Sequence, residues 1–536
     1  FSLVCLRDAE CPLKPSMTLK KHFALLVALL AHVLASELTP EHRCTLDRES
    51  PRCLALDLPD AIDSDDALSH LQIRKEAKER TRATDPEATT LLQVQASGNF
   101  YKYSLLVLLV CTGVAAWFTR PQLESPDDMT PTFRSFRFVF LAAWALAVSA
   151  DWLQGPYVYA LYDSFGYAKT DIDKLFVAGF GSSMIFGPFA GSFADAWGRK
   201  RTVLIYCILY IMSCLTKHCS TYNVLMLGRI TGGMATSLLF SAFESWMVSE
   251  SNERYLFNKA LLRYMFSLMY FVSYLVAILS GVVAQAFVDA VPLTKIQGFD
   301  SLYYGGDLCP FDLSILVLCC AFAMVCFTWD ENYGSGDKQA FVEAFSASCK
   351  ALFSSWKICI LGLLVACFEG SMYSFVINWT PTLSISGAPD PPHGLVFSAM
   401  MMCCMTGSST FSFLNPDIDP AKALLFSFAM SALAFAAIAF KCEQVENVSV
   451  VYFSFLFFEF CVGLYFPSIG ALKSELVPEE ARAGVYNWFR VPLNIVVCGV
   501  ILTDMELQTA FITCALLMLA GLGMTLPVVQ LRELET

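Results

Sequence analysis

The chain has 536 residues, of which 56% are hydrophobic and 16% are charged, and its formal net charge is -12. Soluble domains contain about 45–50% apolar and about 25% charged residues, so this composition excludes most soluble enzymes. The acidic balance and the absence of a long basic run exclude nucleic acid as a partner, because phosphate binding needs clustered Lys and Arg. Twelve membrane helices of about 20 residues each would fit in the chain. We therefore predict an all-α polytopic membrane protein embedded in a lipid bilayer.

The first part of the chain differs from the rest. Residues 1–36 resemble a signal peptide, with two lysines before the apolar run 23–34 and small residues after it. An uncleaved signal anchor is the alternative. Residues 37–100 are polar, mixed in charge and poor in aromatics, which predicts a largely disordered, extracytoplasmic segment. Cys44 and Cys53 can form a disulfide there.

Apolar runs long enough to cross a membrane recur after this segment. We predict thirteen spans, at about 102–119, 136–161, 174–196, 202–219, 222–247, 264–287, 309–328, 356–378, 394–413, 421–440, 449–471, 485–503 and 508–527. The first, within 101–120, is an extra helix. A polar segment at 329–355 divides the other twelve into a six-helix half at 134–328 and a second at 356–528.

The Lys and Arg residues between the spans are distributed unequally. Seventeen lie at one set of ends: Arg120, Arg134, Arg137, Arg199, Lys200, Arg201, Arg254, Lys259, Arg263, Lys338, Lys350, Lys357, Lys422, Lys473, Arg482, Arg490 and Arg532. Five lie at the opposite ends: Lys169, Lys174, Lys217, Lys295 and Lys441. Because cytoplasmic loops carry an excess of Lys and Arg, we predict a cytoplasmic central loop and C-terminus and an outer N-terminal segment. We expect the plasma membrane, with an endomembrane as the alternative.

The sequence contains no pattern typical of a metal site or a catalytic centre. Most of the 21 Cys lie in apolar runs, where Cys behaves as a small hydrophobe, and the six His are scattered. The glycines Gly179, Gly181, Gly187 and Gly191 lack the spacing and the following Lys of a phosphate-binding loop and fit helix packing instead. We therefore predict no metal, no cofactor and no enzymatic activity.

One loop, between the spans at 174–196 and 202–219, carries a more specific pattern. The pattern is GxxxDxxGRKR, formed by Gly191, Asp195, Gly198, Arg199, Lys200 and Arg201. Gly191 permits close helix approach and Gly198 permits a tight turn, while Asp195 is placed to interact with a neighbouring helix N-terminus. A loop needed only for orientation would not require an Asp and two glycines.

This pattern resembles the signature loop of the major facilitator superfamily, and the division into six and six helices agrees. The resemblance implies the major facilitator fold and a gating motif that latches the two halves in one access state. A second copy would be expected in the second half. The corresponding segment, 411–422, keeps acidic residues and one Lys but lacks the glycines.

Five further segments, read together, resemble the molybdate-anion transporter family of that superfamily. They are ADWLQGPY at 150–157, FSAFESW at 240–246, WDENY at 329–333, GLYFPS at 463–468 and AGVYNWFRVPL at 483–493. The resemblance covers residues 102–527, including the extra first helix. It implies uptake of molybdate, a tetrahedral dianion.

Polar residues inside the spans are the candidates for the site. Ionisable groups there cost at least about 2.5–3.5 kcal/mol each on insertion scales, so they face a cavity or a partner, and a dianion needs donors and positive potential. The candidates for substrate binding or coupling are Asp151, Gln154, Arg229, Glu244, Glu369, Glu459, Asn487 and Arg490. Tyr157, Asn378 and Tyr465 are further neutral donors.

Several of these candidates have a structural alternative. Arg229 can pair with an acid of the first half, and Arg490 can snorkel to the inner interface. Four acids, Asp151, Glu244, Glu369 and Glu459, lie within the spans against one deeply buried arginine, Arg229. An anion site is compatible with this excess of acids only if most of them are protonated or paired, which suits a proton relay. We expect uptake coupled to protons, with Glu369 or Glu459 carrying the proton, although either can be a structural carboxyl. Two other functions stay open: a carrier of sulfate, another small anion or a neutral solute, and a membrane sensor that binds without transport.

Overall fold

The computed structural model describes residues 98–123, 129–334, 350, 352, 355–384, 391–414, 418–442, 448–477, 482–503 and 505–535. The predicted leader at 1–36, and the predicted outer segment up to residue 97, lie outside the described residues. Most of the predicted central loop and part of the segment at 411–422 lie outside them as well.

Thirteen long helices, one of them broken, form the bulk of the described residues. They are α1 (Gly98–Thr119), α2 (Pro131–Gln154 and Val158–Ser164), α3 (Lys169–Trp197), α4 (Arg199–Thr216), α5 (Tyr222–Ser249), α6 (Lys259–Ala290), α7 (Cys309–Thr328), α8 (Trp356–Leu383), α9 (His393–Leu414), α10 (Pro420–Lys441), α11 (Val448–Leu476), α12 (Arg482–Leu502) and α13 (Leu507–Glu535). Between α6 and α7, strands β1 (Thr294–Lys295) and β2 (Tyr303–Tyr304) pair antiparallel. Each predicted span coincides with one helix, so the predicted all-α architecture is confirmed.

Eleven of these helices are long and apolar enough to cross a membrane by length and composition. The others are α4, whose first turn carries three cations, and α12, whose apolar stretch is limited to Trp488–Ile501. Helix α4 packs against α5 and α7, and α12 packs against α8. Each also exposes apolar side chains, among them Leu215 of α4 and Ile495 of α12.

Helix α2 shows how the sequence sets helix bounds. The Thr130 hydroxyl accepts a hydrogen bond from Phe133 N at 3.2 Å, and Pro131 fills the first position, where no N–H is needed. The helix therefore starts before the predicted residue 136. It breaks at the 3₁₀ turn Gly155–Tyr157, because Pro156 has no N–H to donate to the helix.

The two ends of the bundle carry different connections. We call the end with the α3–α4 loop the motif end and the end with β1 and β2 the hairpin end. At the hairpin end, Ser220 N donates to Ser301 O at 2.8 Å and Tyr303 N donates to His218 O at 2.9 Å. These bonds hold the chain in a turn, so α4 ends at Thr216 and not at the predicted residue 219.

The extra helix α1 packs on the second half, although it precedes the first half in sequence. It lies against α9, where the hydroxyls of Thr112 and Thr406 are 3.0 Å apart. Near its start, the hydroxyls of Ser104 and Tyr452 are 2.8 Å apart. The first half then comprises α2 to α7, and the second half comprises α8 to α13 with α1 on its outside.

Contacts at the hairpin end join the two halves. Gly394 N of α9 donates to Gln285 Oε1 of α6 at 2.9 Å and to the Tyr157 hydroxyl at 3.2 Å, and that hydroxyl donates to Gln285 at 3.0 Å. Gly281 and Gly394 allow the backbones of α6 and α9 to touch, because a Cβ on either would overlap the carbonyl of the other. The broken part of α2 thus closes this end against α6 and α9.

Candidate functional site

The GxxxDxxGRKR loop turns sharply from α3 into α4. Gly198 has a φ of 103°, in the left-handed region that favours glycine. Arg199 Nη2 lies 2.7 Å from Asp195 Oδ1, so the acid of the motif pairs with its first cation. A Cβ on Gly191 would meet no atom within 4 Å. The close helix approach that we predicted at Gly191 is therefore not found.

The residues that follow α7 bind this loop. Lys200 N and Arg201 N donate to the Glu331 carboxylate at 2.8 and 3.1 Å, so an acid caps the N-terminus of α4, where negative charge is favoured. Lys200 Nζ also donates to the Trp329 carbonyl at 2.6 Å. The helix N-terminal interaction that we predicted for Asp195 is made here by Glu331.

Helix α5 completes this arrangement. The Trp246 ring stacks on Trp329 with centroids 3.7 Å apart, and its Nε1 donates to the Asp330 carbonyl at 2.9 Å. Asn332 Nδ2 donates to Glu250 Oε1 at 3.1 Å. We call the contacts among the α3–α4 loop, residues 329–334 and Trp246 the clasp. The loop and Trp246 belong to the first half, and residues 329–334 directly follow its last helix, so a gating role between the halves stays a prediction.

A group of charged and phenolic side chains lies between α2, α3, α4 and α5. The Tyr210 hydroxyl donates to the Asp151 carboxylate, and Arg229 interacts electrostatically with the same carboxylate. Arg229 Nε donates to the Leu175 carbonyl at 3.2 Å, and its guanidinium lies 4.7 Å from the centre of the Phe176 ring. Arg229 thus has an acid, a carbonyl and an aromatic face as partners.

A second cation extends this group. Lys217 is buried, and its Nζ donates to the Tyr162 hydroxyl at 2.7 Å. Gly179 of α3 leaves space for Arg229, because a Cβ on Gly179 would lie 2.6 Å from Arg229 Nη2. We call Asp151, Tyr162, Tyr210, Lys217 and Arg229 the first-half cluster.

A different set of ionisable groups joins α8, α11 and α12. The Tyr465 hydroxyl donates to Glu369 Oε1 at 3.2 Å, and Lys473 Nζ lies 3.8 Å from the same oxygen. Lys473 also lies over the Tyr486 ring, 5.4 Å from its centre, and interacts electrostatically with Arg490. We call these five residues the second-half cluster. Side chains on a helix lean toward its N-terminus, so Lys473 reaches from the last turn of α11 back to the middle of α8.

Both clusters lie at the interface between the halves. Tyr373, one turn from Glu369 along α8, interacts electrostatically with Glu369, Arg490 and Asp151. The Arg490 guanidinium crosses toward α3, where its Nη1 lies 3.1 Å from the position of a Cβ on Gly187. The structure therefore brings four of the predicted site residues to one interface: Arg229, Arg490, Asp151 and Glu369.

Comparison with known proteins identifies the family. The sequence profile of a family described as sugar transporters with 12 transmembrane helices matches residues 100–465. Molybdate-anion transporters of Xenopus tropicalis and Takifugu rubripes are 31% and 33% identical, over 79% and 74% of this chain and 92% and 85% of their own lengths. The chain belongs to the molybdate-anion transporter family. The resemblance found in the sequence is thus confirmed.

Solved structures show that this family member has the major facilitator fold. The nucleoside transporter NupG, in a mutant form, superposes with a TM-score of 0.57 at 11% identity, covering 73% of this chain and 98% of that one. A D-xylose-proton symporter superposes with a TM-score of 0.54 at 13% identity, covering 74% and 97%. Identities this low show the fold alone. The named relatives are transporters, a class without enzymatic activity, in agreement with the prediction that the chain is not an enzyme.

Other predicted residues of the family member lie outside both clusters. Gln154 donates to the Ala150 carbonyl of its own helix at 2.7 Å, and Asn378 donates to the Ser374 carbonyl at 2.8 Å. Asn487 lies on α12, and its side chain is outside the described part of the chain. Within that part, no group of three His, Cys, Asp or Glu is placed to hold a metal ion.

Glu244 and Glu459 have separate surroundings. Glu244 lines a cavity of about 370 Å³ at the motif end, together with Arg199 and Ser241. Glu459 is 5% exposed and lies near Tyr274 of α6, whose hydroxyl accepts from a cysteine thiol of α9. The structure therefore separates Glu459 from the cations that surround Glu369.

Sequence reasoning missed Lys473, Lys217, Tyr210 and Tyr373 as site residues. Both lysines were counted as loop charges, yet Lys473 pairs with Glu369 inside the bundle. The length of α11 carries a signal, because 29 residues exceed the about 20 that cross a bilayer. The last turn of such a helix can place a lysine among its neighbours.

Proposed function

We propose that this protein is a secondary active transporter that takes up molybdate. The observation that carries the proposal is membership of a family whose relatives, named molybdate-anion transporters, are 31% and 33% identical over most of the chain. The second-half cluster supports it, because Lys473 and Arg490 place two cations at the interface between the halves. Cations with hydrogen-bond donors suit a tetrahedral dianion.

Labelled molybdate uptake tests this proposal. The protein is expressed in cells that lack other molybdate carriers, and sulfate and tungstate are added as competitors. We expect accumulation that tungstate inhibits and a modest excess of sulfate does not. Accumulation abolished by excess sulfate would favour a broader anion carrier, and binding without accumulation would favour a sensor.

Uptake coupled to protons is the second part of the proposal. Glu369 and Glu459 are the carboxyls near the middle of α8 and α11, and buried carboxyls in transporters form proton relays. The test replaces each by Gln and measures uptake against external pH. Loss of the pH dependence in one variant supports the coupling role, and an unchanged pH profile in both contradicts it.

The proposed orientation places the hairpin end outside the cell at the plasma membrane. Cys219, in the turn after α4, offers a test because its thiol contacts Thr221 Oγ1 and Ser301 Oγ. Burial raises the pKa of Cys219, but the hydrogen bonds with Thr221 and Ser301 together lower it by more, so the net shift is downward. A thiolate reacts faster than a thiol. An impermeant maleimide added to intact cells should therefore modify the peptide that contains Cys219, and modification only after permeabilisation would reverse the orientation.

A further inference from the structure

The second-half cluster combines two cations with a single acid. Lys473 lies 3.8 Å from Glu369, beyond ordinary hydrogen-bond distance. No carboxylate lies within ion-pair distance of Arg490 among the described residues. The cluster therefore has an excess of positive charge at a place where the membrane environment makes uncompensated charge expensive.

We propose that a tetrahedral oxyanion binds between Lys473 and Arg490, and that Glu369 is a built-in competitor that must take up a proton before the anion can replace it on Lys473. This inference rests on the proposed transport of an oxyanion. It adds the residues that hold the anion and the reason why uptake is coupled to protons.

The positions of the two cations support the anion site. Lys473 Nζ lies 5.4 Å from the centre of the Tyr486 ring, and Tyr486 precedes Arg490 by one turn of α12. The two cations are therefore neighbours, and an anion between them would remove a repulsion and gain two attractions. The Arg490 side chain is exposed, and its Nη1 lies beside Gly187 of α3 in the first half. An anion bound there would touch both halves, which is what a carrier that alternates between two states requires.

The position of Glu369 supports the competition. Its Oε1 accepts a hydrogen bond from Tyr465 and faces Lys473. An ionised carboxylate there therefore neutralises the positive charge that the anion needs. A dianion beside an ionised carboxylate would be repelled. Proton uptake from water converts the carboxylate to a neutral acid, which removes the repulsion and supplies one O–H donor.

Every helix that packs on α8 in this region presents a group to Glu369 or close to it. The groups are Tyr465 and Lys473 from α11, Arg490 and Tyr486 from α12, Cys514 from α13, which donates to the Ser371 carbonyl, and Tyr373 from α8 itself, which also interacts with Asp151 of α2. Lys473 is the cation in ion-pair distance, so the protonation of Glu369 acts chiefly on Lys473.

Glu459 does not fit this role equally well. It is buried near Tyr274 and the cysteines Cys403 and Cys404, which are uncharged at neutral pH. Its protonation would release no cation for an anion. Of the two carboxyls that the sequence left open, Glu369 is therefore the one that carries the proton.

Molybdate and sulfate binding to the purified full-length protein tests the site. Lys473→Gln and Arg490→Gln should each raise the Kd for molybdate by about tenfold to a hundredfold, the effect of losing one hydrogen bond to a charged group. Lys473→Arg should restore most of the affinity. Lys422→Gln is the matched control, because Lys422 is an exposed cation in the first turn of α10, and it should bind as the wild type does.

Binding as a function of pH tests the competition. In the wild type the Kd for molybdate should rise as the pH rises, because the ionised carboxylate returns to Lys473. Glu369→Gln should bind molybdate with a Kd that changes less than about twofold over the same pH range, since the amide cannot ionise. Glu475→Gln, which changes an exposed acid two residues after Lys473, should keep the wild-type pH dependence.

The outcomes separate the site from the substrate. If the wild type binds molybdate and both Gln variants of the cations bind it equally well, the site is overturned and the proposed function stands. If the wild type binds sulfate but not molybdate, and both variants lose sulfate binding, the proposed substrate is overturned and the site stands. A pH dependence unchanged in Glu369→Gln overturns the competition. Melting temperatures of all variants show whether a loss of binding reflects unfolding.

Discussion

The two clusters at the interface of the halves are built differently. In the first-half cluster, Asp151 receives a hydrogen bond from Tyr210 and interacts with Arg229, which is also bonded to a backbone carbonyl. In the second-half cluster, Lys473 and Glu369 are 3.8 Å apart. Tightly bonded charges are costly to separate, whereas loosely held ones can exchange partners. The comparison indicates that the first half contributes a stable frame and the second half contributes the exchangeable groups.

The largest effect should follow loss of Arg229 from the first-half cluster. Arg229→Ala removes the charge that interacts with Asp151 and the donor to the Leu175 carbonyl, and it should lower the free energy of unfolding by about 2–3 kcal/mol, the range for a hydrogen bond to a charged group. The melting temperature in detergent measures this. Arg490→Ala should hardly change the melting temperature. Equal losses in the two variants would contradict the difference between the clusters.

A smaller loss of stability is expected in the clasp. Glu331→Ala removes the acceptor for two N–H groups at the start of α4, and such a cap contributes about 1–2 kcal/mol. The variant should melt at lower temperature and should keep the wild-type KM for molybdate. Normal melting with altered transport kinetics would instead support the gating role that the resemblance implied for this motif.

The helices could be predicted because each is encoded locally. Apolar runs of the right length mark the spans, and Thr130 with Pro131 or Gly198 marks their ends through backbone chemistry within a few residues. The division into six and six helices and the resemblance of the GxxxDxxGRKR loop then led to the fold class. The family resemblance rested on five short segments, and two of them meet the signature loop in the clasp.

The clusters could not be predicted in the same way, because their members are far apart in sequence. Arg490 of α12 lies against Gly187 of α3, and no pattern along the chain connects them. Lys473 was counted as a topological charge, since a lysine at a helix end usually faces the headgroups. Only the packing of α11 on α8 brings it to Glu369. The sequence could therefore supply the buried acids and arginines but not their partners.

Two glycines of α3 offer a finer test of the comparison. A Cβ on Gly187 would lie 3.1 Å from Arg490 Nη1, so Gly187→Ala should displace the guanidinium. The flexible Arg490 side chain has to move by only a few tenths of an ångström, so we expect a rise in KM of about twofold. Gly191→Ala is the control, because its Cβ would meet no atom within 4 Å. A rise in KM for Gly191→Ala and none for Gly187→Ala would contradict the assignment of Arg490 to the site.

The smallest effect is expected at the hairpin end of the first half, where His218 Nε2 lies 2.9 Å from Asp312 Oδ1. This hydrogen bond raises the pKa of His218, while burial acts in the opposite direction. Because the folded-state pKa lies above the unfolded one, the stabilisation is fully present below the unfolded pKa and is lost as the pH rises through the folded pKa. Asp312 is half exposed, so the contribution should be below about 1 kcal/mol.

His218→Gln should therefore remove a small pH dependence of the melting temperature and leave the pH profile of molybdate uptake unchanged. The reason is that His218 and Asp312 join α4 to α7 within the first half, away from Glu369 and Lys473. If this variant instead abolished the pH dependence of uptake, the proton that drives transport would act in the first half. The division into a stable frame and an exchangeable site would then fail.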